Sequence, residues 1–404
     1  MKTNGTTPIP QGYKATPLGI IPQEWKTIRL KECFSISAGR DVQKDCFSPF
    51  FSSQYKYPIY SNSLSNHGLY GFTSHPRHIA NSITITGRGT LGHAEYRDTN
   101  FDAIVRLLVL SPKIPLDGQF ITEYINFRKP FFYESTGVPQ LTAPQIASTQ
   151  IVFPPLTEQQ KIAEVLGTWD KAIEKQIQLI KKLELRKKGL MQQLLTGKKR
   201  LPGFSGEWRK VKLGDICERV TRKNTEDNKN VMTISAQRGF VVQTDFFNKS
   251  VASETLESYY LVLKDEFCYN KSYSNGYPMG AIKRLSEADK AVVTSLYICF
   301  NVKSRIRVSI DYLSFYFDNG GLNRGLTKIA NEGGRAHGLL NVTPTDFFGL
   351  AFNIPSFEEQ TAIAQVLTTA DREIELAQQK LELLRQQKRG LMQQLLTGKK
   401  RVKL

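Results

Sequence analysis

Residues Pro154 to Arg200 read PPLTEQQKIAEVLGTWDKAIEKQIQLIKKLELRKKGLMQQLLTGKKR, and residues Pro355 to Arg401 read PSFEEQTAIAQVLTTADREIELAQQKLELLRQQKRGLMQQLLTGKKR. The offset is 201 residues without a gap, 26 of the 47 positions are identical, and the last twelve match throughout. A period that long exceeds any solenoid unit. The chain is two copies of one plan: a large variable module, then a helix, then the same again.

The periodicity identifies the repeat as helical. Ile162, Leu166, Trp169, Ile173, Gln176, Ile180, Leu183, Lys187, Leu190 and Leu194 alternate spacings of four and three. That is a heptad a/d pattern with two polar interruptions, Gln176 and Lys187. The second copy keeps register through Ile363, Leu367, Ala370, Ile374, Ala377, Leu381, Leu384, Lys388, Leu391 and Leu395. Pro154 and Pro155 disfavour helix before them, and Thr157 with Gln160, or Ser356 with Glu359, has capping-box spacing. Gly197 and Gly398 read as stops. Two matching stripes in one chain are expected to pair with each other. From Ile162 to Leu194 the helix spans about 48 Å at about 1.5 Å per residue, which reads as a spacer.

The chain has 404 residues, 40% hydrophobic and 23% charged, with a net charge of +18 and a pI near 9.6. The size suits two or three globular units. The positive excess implies an anionic partner, nucleic acid before membrane surface. No apolar run reaches the roughly 18 residues that span a bilayer, and the N-terminal stretch lacks a signal-peptide core. Five scattered cysteines without a CxxC fit a reduced, cytoplasmic protein with no zinc site.

The duplication includes the module entrance, since Trp25 precedes Leu30 as Trp208 precedes Leu213. The expected division is a lead-in over 1–23, a module over 24–153, the repeated helix over 154–200, a second module over 201–354 and the second helix over 355–404. The lead-in is expected to be extended. Short β-type runs between Gly, Pro, Asn and Ser clusters, with one helical segment each (Phe120 to Phe132, Ile310 to Phe317), make both modules mixed α/β and the whole chain α+β.

Catalytic motifs are missing. Gly87-Arg88-Gly89-Thr90-Leu91-Gly92 matches G-x-G-x-x-G, but no helix pattern follows to receive a phosphate, so a Gly-rich β-turn carrying Arg88 is expected. LLTGKKR ends a helix and is no Walker motif. The histidines form no HExxH or deaminase pattern. No Gly-x-Ser-x-Gly elbow and no N-P-P-Y or D-P-P-Y stretch occurs. The chain reads as a non-enzyme that holds no cofactor or metal.

Arg and Lys can read guanine, and Gln and Asn adenine, from loops between short strands. The candidate DNA-contacting residues are Arg88, His93 and Gln140 in the first module. In the second they are Gln237, Arg238, Lys271, Ser272, Ser274, Arg335 and His337. The repeated helix end supplies candidate partner-binding residues: Gly189, Leu190, Met191, Leu194 and Leu195, then Gly390, Leu391, Met392, Leu395 and Leu396. A glycine inside a helix costs about 1 kcal/mol relative to Ala, and a close partner contact is one reason to keep it.

The entrance Gly19-Ile20-Ile21-Pro22-Gln23-Glu24-Trp25, the P-P-L-x-E-Q-Q-x-I-A-x-V-L opening at Pro154 with its echo at Pro355, and GLMQQLLTG present twice resemble the specificity subunit of a type I restriction-modification system. The resemblance covers essentially the whole chain. It implies two target-recognition domains, each reading half of a split double-stranded DNA site. It implies that the two helices form an antiparallel coiled coil in a pseudo-two-fold arrangement. It also implies two modification (methyltransferase) subunits that bind S-adenosylmethionine and methylate adenine, and restriction subunits that use ATP and Mg. The alternatives are a stand-alone two-domain DNA-binding protein and a coiled-coil scaffold. A methyltransferase gene beside this one separates the first from the family reading, and sequence-dependent DNA binding eliminates the second.

Overall fold

The structure is a computed structural model and describes residues 9–131, 139–243, 256–332 and 340–403. The two repeats form helices Leu156–Leu194 and Phe357–Leu395, 39 residues each. Their stops are the expected glycines. Gly197 and Gly398 have φ of 70° and 69°, and the amides of Lys199 and Lys400 donate back to the carbonyls of Gln193 and Gln394. Such a reversal needs a left-handed residue, which glycine supplies without steric cost.

The chain divides into two compact units, and the division cuts across both helices. One unit is Met1–Ile177 with Gln379–Leu404; the other is Gln178–Gln378. Each module thus shares a unit with the first half of its own helix and the second half of the other.

In the first unit, strands Phe34–Ala38, Leu107–Pro112, Ser82–Thr86 and Ala94–Arg97 form an antiparallel sheet in that spatial order. Ile83, Ile85, Leu108 and Leu110 enter the core with Phe120, Ile121, Tyr124 and Ile125 from helix Gly118–Arg128. A second sheet orders Asp102–Ala103, Tyr57–Tyr60, Leu69–Thr73 and Phe47–Ser48. The entrance strand Lys26–Arg29 pairs with Gln150–Phe153, so the module closes on itself before the helix begins. Ile162, Leu166, Leu395 and Leu396 share the module's core, and Asp170 meets Lys388. The start of one helix therefore lies antiparallel to the end of the other. The lead-in is not simply extended. Tyr13–Thr16 and Gly19–Pro22 form a hairpin whose turn uses Gly19 at a φ of 111°, and Ile21 is buried.

The second unit repeats the plan. Strands Cys217–Val220, Ile298–Val302, Phe267–Asn270 and Ala281–Arg284 form its sheet. Arg209–Lys212 pairs with Ala351–Ile354, helix Ile310–Asp318 packs as Gly118–Arg128 does, and Leu194 and Leu195 join Ile363, Ala364 and Leu367 in one core. The β-type sequence run over residues 291–300 falls in two strands, Lys290–Val293 and Ile298–Val302, parted by a turn.

The repeated T/E-E-Q signature is a set of buried staples. Gln159 accepts the amide of Asp117 (3.0 Å) and donates to the Pro154 carbonyl (2.8 Å); Gln360 does the same with Ser309 (2.9 Å) and Pro355 (2.9 Å). Glu158 takes two bonds from Arg401 (2.6 and 2.9 Å) and one from Trp25 Nε1 (2.9 Å). Glu359 takes two from Arg200, both 2.6 Å. Two ends of the repeat thus meet inside each unit through charge-assisted bonds, which exceed neutral ones in strength. Glu359 spends its carboxylate on Arg200, so the capping box is half made, by the Ser356 hydroxyl accepting the Glu359 amide (3.3 Å).

Candidate nucleic-acid interface

The first unit carries Arg88 on the turn that joins Ser82–Thr86 to Ala94–Arg97. Gly87 must be glycine there, because a Cβ would stand 2.6 Å from the Arg106 carbonyl oxygen. The turn is fixed by three bonds from two residues. Asn62 Oδ1 accepts the Gly87 amide (2.8 Å), Asn62 Nδ2 donates to the Arg88 carbonyl, and the Leu141 amide donates to the Gly87 carbonyl (3.0 Å). The Arg88 guanidinium donates through Nε (3.2 Å) and Nη2 (2.8 Å) to Gln140 Oε1. Arg88 and Gln140, 52 residues apart, thus form one exposed group. His93 closes the same hairpin, and its Nε2 lies 3.1 Å from Glu95 Oε1, which also meets His67 Nδ1 at 3.3 Å. Burial pushes the Glu95 carboxyl up, but the His93 bond and the Arg97 charge outweigh it and hold it below the usual range. The His93 ring is engaged by a carboxylate, in a groove also lined by Asp98, Glu123, Asp170 and Glu174.

In the second unit the topologically matching turn joins Phe267–Asn270 to Ala281–Arg284 and carries Lys271, Ser272 and Ser274. It is tied down the same way. The Lys271 carbonyl accepts the Leu340 amide (3.0 Å), as Gly87 accepts that of Leu141. Asn270 accepts the Ser272 amide (3.0 Å) and donates to the Ile234 carbonyl (3.2 Å). Gln237 and Arg238 sit at the tip of hairpin Met232–Ser235/Gly239–Val242, and Gln237 Nε2 reaches the Asn275 carbonyl (3.5 Å). The structure therefore gathers Gln237, Arg238, Lys271, Ser272 and Ser274 at two abutting loops. Burial lowers the Lys271 pKa below the usual lysine value. Arg335 and His337 lie outside the described residues. Asn62 and Asn270 are not among the candidates that residue type singles out, yet each lies beside a Ser-rich loop, a local signal for a turn-bracing side chain.

The helix-end residues are placed differently from a free partner surface. Leu194, Leu195, Leu395 and Leu396 are at most 5% exposed in the units' own cores, and Leu190, Met191, Leu391 and Met392 pack against those cores. Nothing stands within 4 Å of a Cβ built on Gly189 or Gly390, so packing within the described residues does not require glycine at either position. The apolar half of the repeat end is occupied by the chain itself, and the glycine face is open. The seam lysines are occupied too. Lys388 Nζ meets Asp170 (2.6 Å) and Glu123 (3.0 Å), and Lys187 Nζ meets Asp371 (2.5 Å) with the Phe315 ring 5.4 Å away.

The frame is thus two sheet modules, each packed with segments of the long helices and carrying a different loop at the same turn. The chain belongs to the type I restriction-modification specificity subunits: the family model described as "Type I restriction modification DNA specificity domain" matches residues 22–185 and 205–386. The family itself is non-catalytic. The chain is similar to a candidate type I specificity subunit of Mycoplasma pneumoniae, 32% identical over 186 residues, 44% of this chain and 48% of that protein. The match thus spans about half of that relative's length. It is also similar to the specificity subunit of the type I restriction enzyme MjaVIII of Methanocaldococcus jannaschii, 22% identical over 424 residues, 95% of this chain and 94% of that one. The crystal structure of the type I restriction-modification S subunit of M. genitalium shares the fold, with a TM-score of 0.56 at 15% identity over 92% of this chain and 96% of that chain. Among the described residues no helix is long and apolar enough to cross a membrane.

Proposed function

We propose that each unit reads one half of a bipartite duplex DNA site and that the chain directs adenine methylation, or ATP-dependent cleavage, by partner subunits. The observation that carries this reading is one frame built twice with different side chains at the reading turn: Gly87-Arg88 braced by Leu141, and Lys271-Ser272 braced by Leu340. Phosphate contacts position a reader while base edges specify the sequence, so a constant frame with variable turns suits two different half-sites. S-adenosylmethionine, ATP and Mg belong to the modification and restriction subunits in this reading. The protein works in the cytoplasm, where those subunits meet DNA. The open faces around Gly189 and Gly390 are the same surface presented twice, which favours two copies of one modification subunit.

The test is co-expression with the neighbouring modification subunit, followed by single-molecule methylome sequencing and native mass spectrometry. A two-part motif with an unspecified gap and two modification subunits per chain is the expected result. A single uninterrupted motif, or sequence-specific binding without any methyltransferase partner, would favour a stand-alone DNA-binding protein.

A further inference from the structure

Arg88 and Gln140 both qualify by residue type as base readers, but their mutual geometry gives them unequal parts. Gln140 Oε1 accepts two bonds, from Arg88 Nε at 3.2 Å and Nη2 at 2.8 Å. A carbonyl oxygen has two lone pairs, so both are used. Reading adenine needs the amide oxygen to accept from N6 while its nitrogen donates to N7. Gln140 cannot do this while it holds Arg88. The guanidinium has five N–H donors, and the two facing Gln140 lie on one edge. The other edge, Nη1 with the outer hydrogen of Nη2, keeps the forked pair that fits guanine O6 and N7. Beneath it, the backbone of the turn is locked by Asn62 and Leu141. Preorganisation of this kind matters because a side chain already held in place loses less freedom on binding.

Resting on the bipartite-reading function above, we propose that the first unit reads a guanine through Arg88, with Gln140 as the positioning residue that aims it rather than as a separate adenine reader. Gln140 then determines specificity at Arg88's base pair and at no other.

The experiment compares methylomes of the complete methyltransferase complex carrying wild-type chain, Arg88→Lys, Arg88→Ala, Gln140→Ala, Gln140→Glu and the double alanine variant. Arg88→Lys keeps the charge but loses the fork, and it should relax one guanine position on the order of tenfold or more. Gln140→Ala should relax that same position, by less. The double variant should be no more relaxed than Arg88→Ala. Gln140→Glu keeps oxygens that accept from Arg88 and should retain the guanine preference. The unaltered half-site read by the second unit reports in every variant that the complex is folded and active. Relaxation of a different position by Gln140→Ala, a new base preference in Gln140→Glu, or an unchanged motif in Arg88→Lys and Arg88→Ala would overturn the inference and leave the functional reading standing. Methylation without sequence preference by the wild-type complex would overturn both.

Discussion

Lys388 and Lys187 occupy the same seam position in the two copies of the helix, yet their removal should have different consequences. Lys388 is 14% exposed and bridges Glu123, 13% exposed, and Asp170, 44% exposed. Lys388→Ala leaves a largely buried carboxylate facing a second carboxylate with no cation between them. Removing one partner of a buried pair costs about 3–5 kcal/mol. Water can reach Asp170, so about 2–4 kcal/mol at neutral pH is the expected cost. Burial already pushes the Glu123 carboxyl above its ordinary value, and Lys388 is the strongest group opposing that. Without it the carboxyl rises further. A carboxyl raised on folding contributes stability that is complete below its unfolded value and is lost as pH rises through its folded one. The deficit of Lys388→Ala should therefore be large at pH 8 and shrink towards pH 5. Lys187 offers the control, because Phe315 stands where the first unit has Glu123. Lys187→Ala strands only the half-exposed Asp371 and forfeits a cation–ring contact, about 1 kcal/mol with little dependence on pH. Hydrogen exchange of peptides covering 180–194 and 380–395 at the two pH values, with urea unfolding alongside, reads both units in one sample. Equal, pH-independent losses in the two variants would refute the reasoning. Glu123→Gln with Lys388→Met should recover most of the loss, since a buried pair replaced by neutral groups is often tolerated.

Gly189→Ala and Gly390→Ala meet no atom within 4 Å and should each stabilise the isolated chain by up to about 1 kcal/mol in thermal melts; if a modification subunit packs closely there, the same variants should retain fewer partner subunits in native mass spectrometry. Adding one heptad after Ile180 and one after Leu381 preserves the seam and lengthens each helix by about 10 Å. Methylome sequencing should then show both half-sites unchanged and the gap between them longer by about one to three base pairs, and an active variant with an unchanged gap would show that the helices do not set the spacing. Thiol reagents should modify half-buried Cys46 first in the native protein, because burial pushes Cys33 up to about 11 and Cys217 up to about 12 and leaves Cys268 and Cys299 fully covered. Cys268 or Cys299 reacting as fast as Cys46 would contradict the packing of that sheet.

The sequence by itself determined the duplication, both helices with their glycine stops, the a/d stripe and the matching entrances at Trp25 and Trp208. The duplication and the entrances are read by comparing the two halves, and the helices and their stops rest on local spacing, where i, i+3 and i, i+4 contacts or a left-handed glycine leave a mark within a few residues. Ile162, Leu166, Ile363 and Leu367 of the a/d stripe are at most 1% exposed, within the cores of the two units. Only the tertiary structure decided which groups answer the polar positions. Lys388 meets Asp170 across 218 residues of chain and Arg401 meets Glu158 across 243. Nothing near either cation in sequence announces its carboxylate. The same applies at the reading turn: Arg88 and Gln140 are each recognisable as polar loop residues. That one amide oxygen serves one guanidinium depends on the chain returning at residues 140 and 141, where the Leu141 amide bonds the Gly87 carbonyl, and side-chain orientation is set by that long-range closure, not by composition.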